Sequence, residues 1–369
     1  MKIHENECNG SMRVVIAAGG TGGHVFPGIA VAQELRTRGC RILFLGARGG
    51  IESKEVVKAG FAIETIDTAR KIKGMSLGAR LQALSFMPAA LVEMLVRMGR
   101  FKPHVVLGVG GYVSGPAVLA AGLSRIPSVL LEQNAIPGFT NRVLSRRAEC
   151  SIVSFDEALK YMPRSINLGN PVRAEIVERL TFPGRTKKLS AQPNLLVLGG
   201  SQGARPLNDA MVKISPLLKE MGVKILHGTG EADYEWVKKS YERRSVDAEP
   251  YPFIEDMASA YESCDFVFCR AGATTIAELT LAGKPALLVP FPHAADDHQT
   301  ANAQSLADRG AAISIPQKEL TADRLTEELR KLLYGPDIVT RMSKRMKELA
   351  RPDAASRVAD FLESRWGGR

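Results

Sequence analysis

Cysteine is scarce. Cys8, Cys40, Cys150, Cys264 and Cys269 are odd in number, widely spaced and contain no C-x-x-C pair. That excludes a disulfide framework and a sequence-local zinc site and fits a reducing cytosol. Long apolar runs are also missing: the longest uncharged stretch, 103–124, carries five glycines and two prolines and reads as strand, loop and helix, not as a membrane span. The first eleven residues hold His4, Glu5 and Glu7 and no apolar centre, so no signal peptide is expected ahead of the first strand. No D-x-D pair occurs anywhere, which disfavours a sugar transferase dependent on Mg²⁺. Acids are outnumbered, 39 against 49 Lys and Arg, for a net charge of +10. Such a balance favours acidic partners, namely phosphorylated substrates, anionic lipid surfaces or nucleic acid, without choosing among them.

What the chain does have is glycine in two places that matter. Residues 12–28, MRVVIAAGGTGGHVFPG, read as a buried strand emptying into a glycine turn and then a helix. Gly19, Gly20, Gly22 and Gly23 remove four β-carbons, so backbone N–H groups at the following helix start can approach a phosphate closely. The loop is neither G-x-G-x-x-G nor a P-loop, because Val25 follows His24 and no G-K-[ST] ending is present. At 369 residues the chain predicts two domains. The pattern restarts 180 residues later: 195–198 is a buried strand and Gly199-Gly200-Ser201-Gln202-Gly203-Ala204 a second glycine turn before a helix. Two strand–glycine–helix units, each opening a βα series, predict two doubly wound α/β domains facing each other across a cleft.

Taken in order, a helix is predicted at 25–38, strands at 41–45 and 62–66, and a strand at 104–109 opening into Gly110-Gly111-Tyr112. The second strand ends in Gly46-Ala47-Arg48 without the carboxylate that holds a ribose in dinucleotide-binding units, which counts against an oxidoreductase. Between them, 70–102 places Leu77, Leu81, Leu84, Leu91, Leu95 and Met98 near helical spacing, interrupted at Phe86-Met87-Pro88. Arg70, Lys71, Lys73, Arg80, Arg97, Arg100 and Lys102 there face one acid, Glu93. That pattern suits either a surface resting on anionic headgroups or a core helix with a charged solvated face.

The strand at 128–131 delivers Glu132, Gln133 and Asn134 to a carboxyl end, where ligands of open α/β sheets bind. Glu132 is an acid, an orienting group, or the N-cap partner of a helix near Gly138. A Pro/Gly/Ser/Lys-rich stretch at 180–194 marks the domain boundary. Strands follow near 223–226, 265–268, 286–289 and 311–315. Arg270-Ala271-Gly272-Ala273-Thr274-Thr275 begins a helix that can face a phosphate, with Glu278 one turn on, placed to accept from ribose hydroxyls or simply to lie on a surface. His293, Asp296, Asp297, His298 and Gln299 bring metal-ligating types into one loop without the spacing of a site, so no metal is expected. A last helix at 354–366 carries Val358, Phe361 and Leu362 on one face.

Six blocks, Gly19-Gly20-Thr21-Gly22-Gly23-His24, Gly110-Gly111-Tyr112, Glu132-Gln133-Asn134, Gly169-Asn170-Pro171-Val172-Arg173, Gly199-Gly200-Ser201-Gln202-Gly203-Ala204 and 271–278, stand in the order of motifs of the MurG family. The whole chain resembles that family of bacterial N-acetylglucosaminyltransferases, which convert lipid I to lipid II in peptidoglycan synthesis. The resemblance implies a GT-B fold: an acceptor- and membrane-facing domain over 1–170, a UDP-sugar-binding domain over 171–352, and a final helix, 353–369, packing back on the first. It implies UDP-N-acetylglucosamine as donor, lipid I as acceptor, and a peripheral position on the cytoplasmic face of the inner membrane. Other cell-wall synthesis and division proteins are implied as partners; no cofactor and no nucleic acid are.

Carried over by resemblance, Ser201 and the N–H groups of Gln202, Gly203 and Ala204 hold the donor pyrophosphate, with Arg173 nearby. Ile254 meets the uracil; Ala273, Thr274, Thr275, Ile276 and Ala277 line the nucleotide site. Glu278 takes the ribose hydroxyls, and Gln299 with Asn134 contacts the sugar. Thr21, Gly22 and Gly23 close the first-domain side, with Gly20, Gly111 and Tyr112 on the acceptor side. Many members have histidine immediately before Glu-Gln-Asn; here it is Leu131, so that histidine is not indispensable in this protein. Inverting transfer needs a base for the acceptor C4 hydroxyl, and His24 or Glu132 is expected in that role, His24 because its ordinary pKa suits neutral pH. A UDP-sugar epimerase, a dinucleotide oxidoreductase and a non-catalytic membrane adaptor are the competing readings.

Overall fold

The computed structural model describes residues 12–66, 77–181 and 192–367. They fall into two compact units, Met1–Gln133 with Pro137–Arg173 and Asp353–Arg369, and Asn134–Ile136 with Ala174–Pro352. In the first unit, β1 (Arg13–Ala18), β2 (Arg41–Ala47), β3 (Ile63–Ile66), β4 (Val105–Gly110), β5 (Ser128–Glu132), β6 (Cys150–Val153) and β7 (Ser165–Asn167) form a parallel sheet in the order β3-β2-β1-β4-β5-β6-β7. In the second, β8 (Asn194–Leu198), β9 (Lys224–Gly228), β10 (Ala248–Tyr251), β11 (Phe266–Cys269), β12 (Ala286–Leu288) and β13 (Ala312–Ser314) are ordered β10-β9-β8-β11-β12-β13, again parallel.

The first strand shows why this arrangement forms. Its residues are apolar on both sides of the pleat, as a strand covered on two faces requires. Val14, Ile16 and Ala18 pack with Val25 and Ile29 of helix Gly22–Thr37 and with Val358, Leu362 and Trp366 of helix Ala354–Trp366. Val15 and Ala17 pack on the other face with Met94 and Met98 of helix Leu77–Phe101 and with Ala117 and Ala121 of helix Ser114–Leu123. Burial of each large aliphatic side chain contributes about 1.5–3 kcal/mol. Helix Ala354–Trp366 is also pinned by Arg38, which donates to Asp360 at 2.6 Å, Glu363 at 2.7 Å and the Ser356 hydroxyl at 2.9 Å.

In both sheets the strand order reverses beside the first strand of the unit, at β1/β4 and at β8/β11. Connections leave in opposite directions there, opening a crevice at the carboxyl ends of the strands. Both glycine turns sit at such a switch point. In the first unit β4 also bulges, Ala17 pairing with Gly108 but Ala18 with Gly110.

Three expectations are corrected. The first-loop helix begins at Gly22, not 25, so His24 lies in its first turn. Leu77–Phe101 is one helix straight through Pro88, which lies on the exposed side where water can replace the missing N–H bond. Its described part is a core helix: Ala90, Met94 and Met98 are buried, and Arg97 pairs with Glu64 at 3.1 Å and Glu93 at 3.6 Å instead of standing free for headgroups. Arg70, Lys71 and Lys73, and the side chains of Leu77, Arg80, Leu81, Leu84, Phe86 and Met87, lie outside the described residues. β6, β7 and β10 were not anticipated; Pro250 is tolerated in β10 because that strand is an edge.

Candidate active site

In the first unit the glycine loop after β1 and the loop after β4 interlock. Gly111 has φ +78°, and a Cβ there would fall on the Gly19 carbonyl oxygen, so only glycine lets the two loops meet. The His24 ring lies against the Gly110 α-carbon: a Cβ on Gly110 would stand 2.9 Å from Nε2. Thr21 is the extended N-cap of the helix, its carbonyl accepting from the His24 and Val25 N–H groups at 3.1 and 3.2 Å. Tyr112, 46% exposed, follows at the rim of the same crevice. Arg173 belongs to this unit, its guanidinium 4.6 Å from the Phe26 ring centroid, and Phe26 packs over Gly22.

Glu132 is the last residue of β5 and 2% exposed. Its Oε2 accepts from the Gly138 N–H at 3.2 Å and from Asn141 Nδ2 at 2.8 Å, so this oxygen caps the helix that follows, Phe139–Leu144. Gln133 donates to the carbonyls of Val109 and Leu131, tying the ends of β4 and β5 together.

A carboxylate does lie at the end of β2, one that the sequence pattern did not single out. Glu52 is fully buried, its Oε1 accepts the Ala47 N–H at 2.9 Å, and a Cβ on Gly19 would stand 3.0 Å from that oxygen. It floors the glycine loop instead of facing a ribose. In sequence it looks like any first-turn helix acid.

In the second unit, Gly203 (φ +75°) presses onto the end of β9, where a Cβ would meet the Thr229 carbonyl. Its N–H donates to the Gly200 carbonyl at 2.9 Å, closing a turn. Pro206 has no N–H and the Leu207 N–H is taken by the Ala204 carbonyl, so Ala204 and Arg205 supply the donors at this helix start. Ser201 and Gln202 are exposed on the turn.

Asn208, one turn into the helix, holds this loop. Its Nδ2 donates to the Thr229 carbonyl and to Asp233, and its Oδ1 faces His227 Nε2 at 3.0 Å, with Tyr241 Oη 2.8 Å from Nδ1. Burial pushes the His227 pKa down to about 3. The imidazole is neutral, donates from Nε2 and accepts the tyrosine O–H at Nδ1.

Ile254 packs over Gly228 at the end of β9. Helix Ala273–Ala282 starts behind an extended Gly272, with Ala273 and Ile276 buried and Thr274, Thr275 and Ala277 half-buried. Glu278, 7% exposed, accepts from the buried Tyr261 hydroxyl at 3.0 Å.

Asn302, fully buried, joins three segments. Its Oδ1 accepts the Ala135 N–H at 2.8 Å, and its Nδ2 donates to Asn134 Oδ1 and the Ala271 carbonyl, both at 3.1 Å. These bonds place Asn134–Ile136 with the second unit although the residues on either side belong to the first. Gln299, on the same helix as Asn302, accepts the Phe291 N–H at 3.0 Å. Arg270 donates to the carbonyls of Val289 and Pro290 and to Gln317 Oε1, bracing that loop, and burial pushes its pKa down to about 10. Asp296 and Asp297 take left-handed conformations; Asp297 accepts from Thr300, and His298 Nδ1 sits 2.7 Å from the Ala295 carbonyl. Among the described residues no three His, Cys, Asp or Glu side chains converge on a common point.

The sequence profile of the glycosyltransferase family 28 N-terminal domain matches residues 14–153, and that of the C-terminal domain matches 194–358. The chain belongs to glycosyltransferase family 28.

Family 28 relatives match it end to end. Proteins from Anaeromyxobacter sp. (strain K) and Myxococcus xanthus (strain DK1622) are each 43% identical over 96% of this chain and 94% of their own. Both are named UDP-N-acetylglucosamine–N-acetylmuramyl-(pentapeptide) pyrophosphoryl-undecaprenol N-acetylglucosamine transferase. The crystal structure of Acinetobacter baumannii MurG superposes with a TM-score of 0.76 at 34% identity, covering 96% of this chain and 99% of that one. The two Rossmann-like sheets are thus the GT-B pair of family 28, each with its glycine turn at a switch point.

Proposed function

We propose that this family 28 protein is the hexosyltransferase that moves N-acetylglucosamine from UDP-N-acetylglucosamine to the C4 hydroxyl of lipid I, giving lipid II. The observation that carries this reading is identity of 43% along 96% of the chain with relatives named for that transfer, because the fold alone hosts other chemistries. The second unit supplies the donor side. The Ala204 and Arg205 N–H groups face the pyrophosphate with Ser201, Ile254 meets the uracil, Glu278 the ribose, and Gln299 with Asn134 the sugar. Donors fixed in this way stabilise the charge that builds on the departing UDP. The first unit supplies the acceptor side, Thr21, Gly22 and Tyr112 around His24. His24 removes the acceptor proton, while Glu132 orders the helix start at Gly138. Incubation with UDP-N-acetylglucosamine and a lipid I analogue should release UDP and the β-linked disaccharide; UDP release without a disaccharide, or epimerised UDP-sugar, would overturn the assignment.

Donor binding through helix starts, in a sequence without a D-x-D pair, makes transfer independent of divalent cations. Turnover on a water-soluble acceptor should be unchanged in EDTA. Activity lost there and restored by Mg²⁺ or Mn²⁺ would contradict it.

Peripheral attachment to an anionic membrane surface is the third part of the proposal. No helix among the described residues is long and apolar enough to cross a membrane. The first unit carries an open cavity of about 1030 Å³ whose lining includes Leu91, Leu119, Leu123 and Trp366 together with Arg125, Arg147 and Arg365 and one acid, Glu149; Leu123 is 65% exposed. Apolar side chains beside three cations and one acid suit acyl chains below charged headgroups. Binding to phosphatidylglycerol vesicles should weaken with salt, and the pair Arg125→Ser and Arg147→Ser should lower it roughly 10- to 30-fold, at about 1 kcal/mol per cation. Transfer to a soluble acceptor should stay intact; equal loss in both assays would indicate a packing role.

A further inference from the structure

Glu278 is bonded from a second helix as well as carried by its own. Tyr261, on helix Met257–Ser263, is fully buried, and its hydroxyl donates to Glu278 Oε2 at 3.0 Å. Cys264 and Cys269 are buried beside it, and the Cys264 thiol points back at the Tyr261 carbonyl. Burial pushes the phenol well above its ordinary pKa, so it stays a neutral donor. A glutamate has three side-chain torsions, and a nearly buried one is useful to a ligand only if its carboxylate is kept in one orientation. A hydrogen bond from a rigid aromatic ring does that.

We propose that Tyr261 is a positioning residue that sets Glu278 for the ribose hydroxyls and so confers the preference for ribonucleotide over deoxyribonucleotide donors. This rests on the reading of Glu278 as the ribose-binding carboxylate. No contact between Tyr261 and the nucleotide is involved, so its removal acts on hydroxyl recognition and not on the uracil or the phosphates.

Calorimetry with UDP and 2′,3′-dideoxy-UDP separates these effects. The unaltered protein should prefer UDP by about 10- to 100-fold, the usual worth of hydrogen bonds to a charged group. Tyr261→Phe, which keeps the ring, should cut that preference about 3- to 10-fold while affinity for dideoxy-UDP stays the same. An unchanged preference, or equal loss for both nucleotides, overturns the proposal. Glu278→Ala, which removes the acceptor, is measured in parallel: if the preference survives it, the ribose reading itself is wrong, whereas loss in Glu278→Ala with none in Tyr261→Phe refutes only the role of Tyr261. Should Tyr261→Phe not fold, 3-fluorotyrosine introduced at position 261 keeps the ring and strengthens the donor. A raised UDP preference then supports the proposal, and an unaltered one refutes it.

Discussion

His24→Ala lowers kcat by about 10²–10⁴-fold, the usual contribution of a general base, and leaves UDP affinity near that of the unaltered protein. The expectation follows from where the residue sits. His24 is in the first turn of helix Gly22–Thr37 at the β1/β4 switch point of one unit, whereas Ile254, Ala273 and Glu278 are carried by the other. Its ring is backed by the α-carbon of Gly110, which no side chain shields, so the end of β4 fixes one side of the imidazole. Proton abstraction needs the neutral imidazole. In the unaltered enzyme kcat therefore falls as pH drops through the range in which histidine takes up its proton, and this acidic limb should be missing from the His24→Ala profile. If the variant keeps near-normal kcat, the base is elsewhere. If it loses thermal stability together with turnover, His24 is a structural element of the helix start, and a proton-transfer role is refuted by an acidic limb that survives in the residual activity.

Glu278→Ala weakens UDP binding by about 1.5–3 kcal/mol, roughly 10- to 100-fold, because hydrogen bonds from ribose hydroxyls to a charged acceptor are lost. Part of the effect comes from Tyr261, whose buried hydroxyl is left without the carboxylate it donates to. Glu278→Gln separates the two contributions, since the amide oxygen can still accept from Tyr261 while the charge is gone. Binding of uracil analogues without ribose should be the same in all three proteins. Unchanged UDP affinity in Glu278→Ala, measured by calorimetry, would remove Glu278 from the nucleotide site.

Much of the architecture is legible in the chain itself. Apolar runs such as 14–16 and 195–198 mark strands covered on both faces, and the glycines that follow them mark backbone that must come close to something. Those are local properties: pleat, helix period and the missing β-carbon act over a few residues. The repeat of the same pattern 180 residues apart then fixes two doubly wound sheets. Element ends were less legible, because the helix start at Gly22 depends on Thr21 adopting an extended conformation rather than on residue type. The continuity of Leu77–Phe101 through Pro88 likewise depends on which side of the helix meets solvent.

The partners of the polar residues are set at longer range. Nothing in the spacing of Glu132 foretells that its Oε2 accepts from the Gly138 N–H and Asn141 once the chain has turned. Nor does the glycine pattern foretell the turn in which the Gly203 N–H donates to the Gly200 carbonyl. Glu52 and Asn302 read as ordinary helix residues, yet one floors the first glycine loop and the other joins Ala135 to Ala271 across more than 130 residues of sequence. The sequence by itself determined the two sheets, their switch points and the glycine turns, because these follow from local backbone sterics and hydrophobic period. Only the tertiary structure decided which buried donors and acceptors pair, because a hydrogen bond is fixed by distance and direction between segments that the linear order does not bring together.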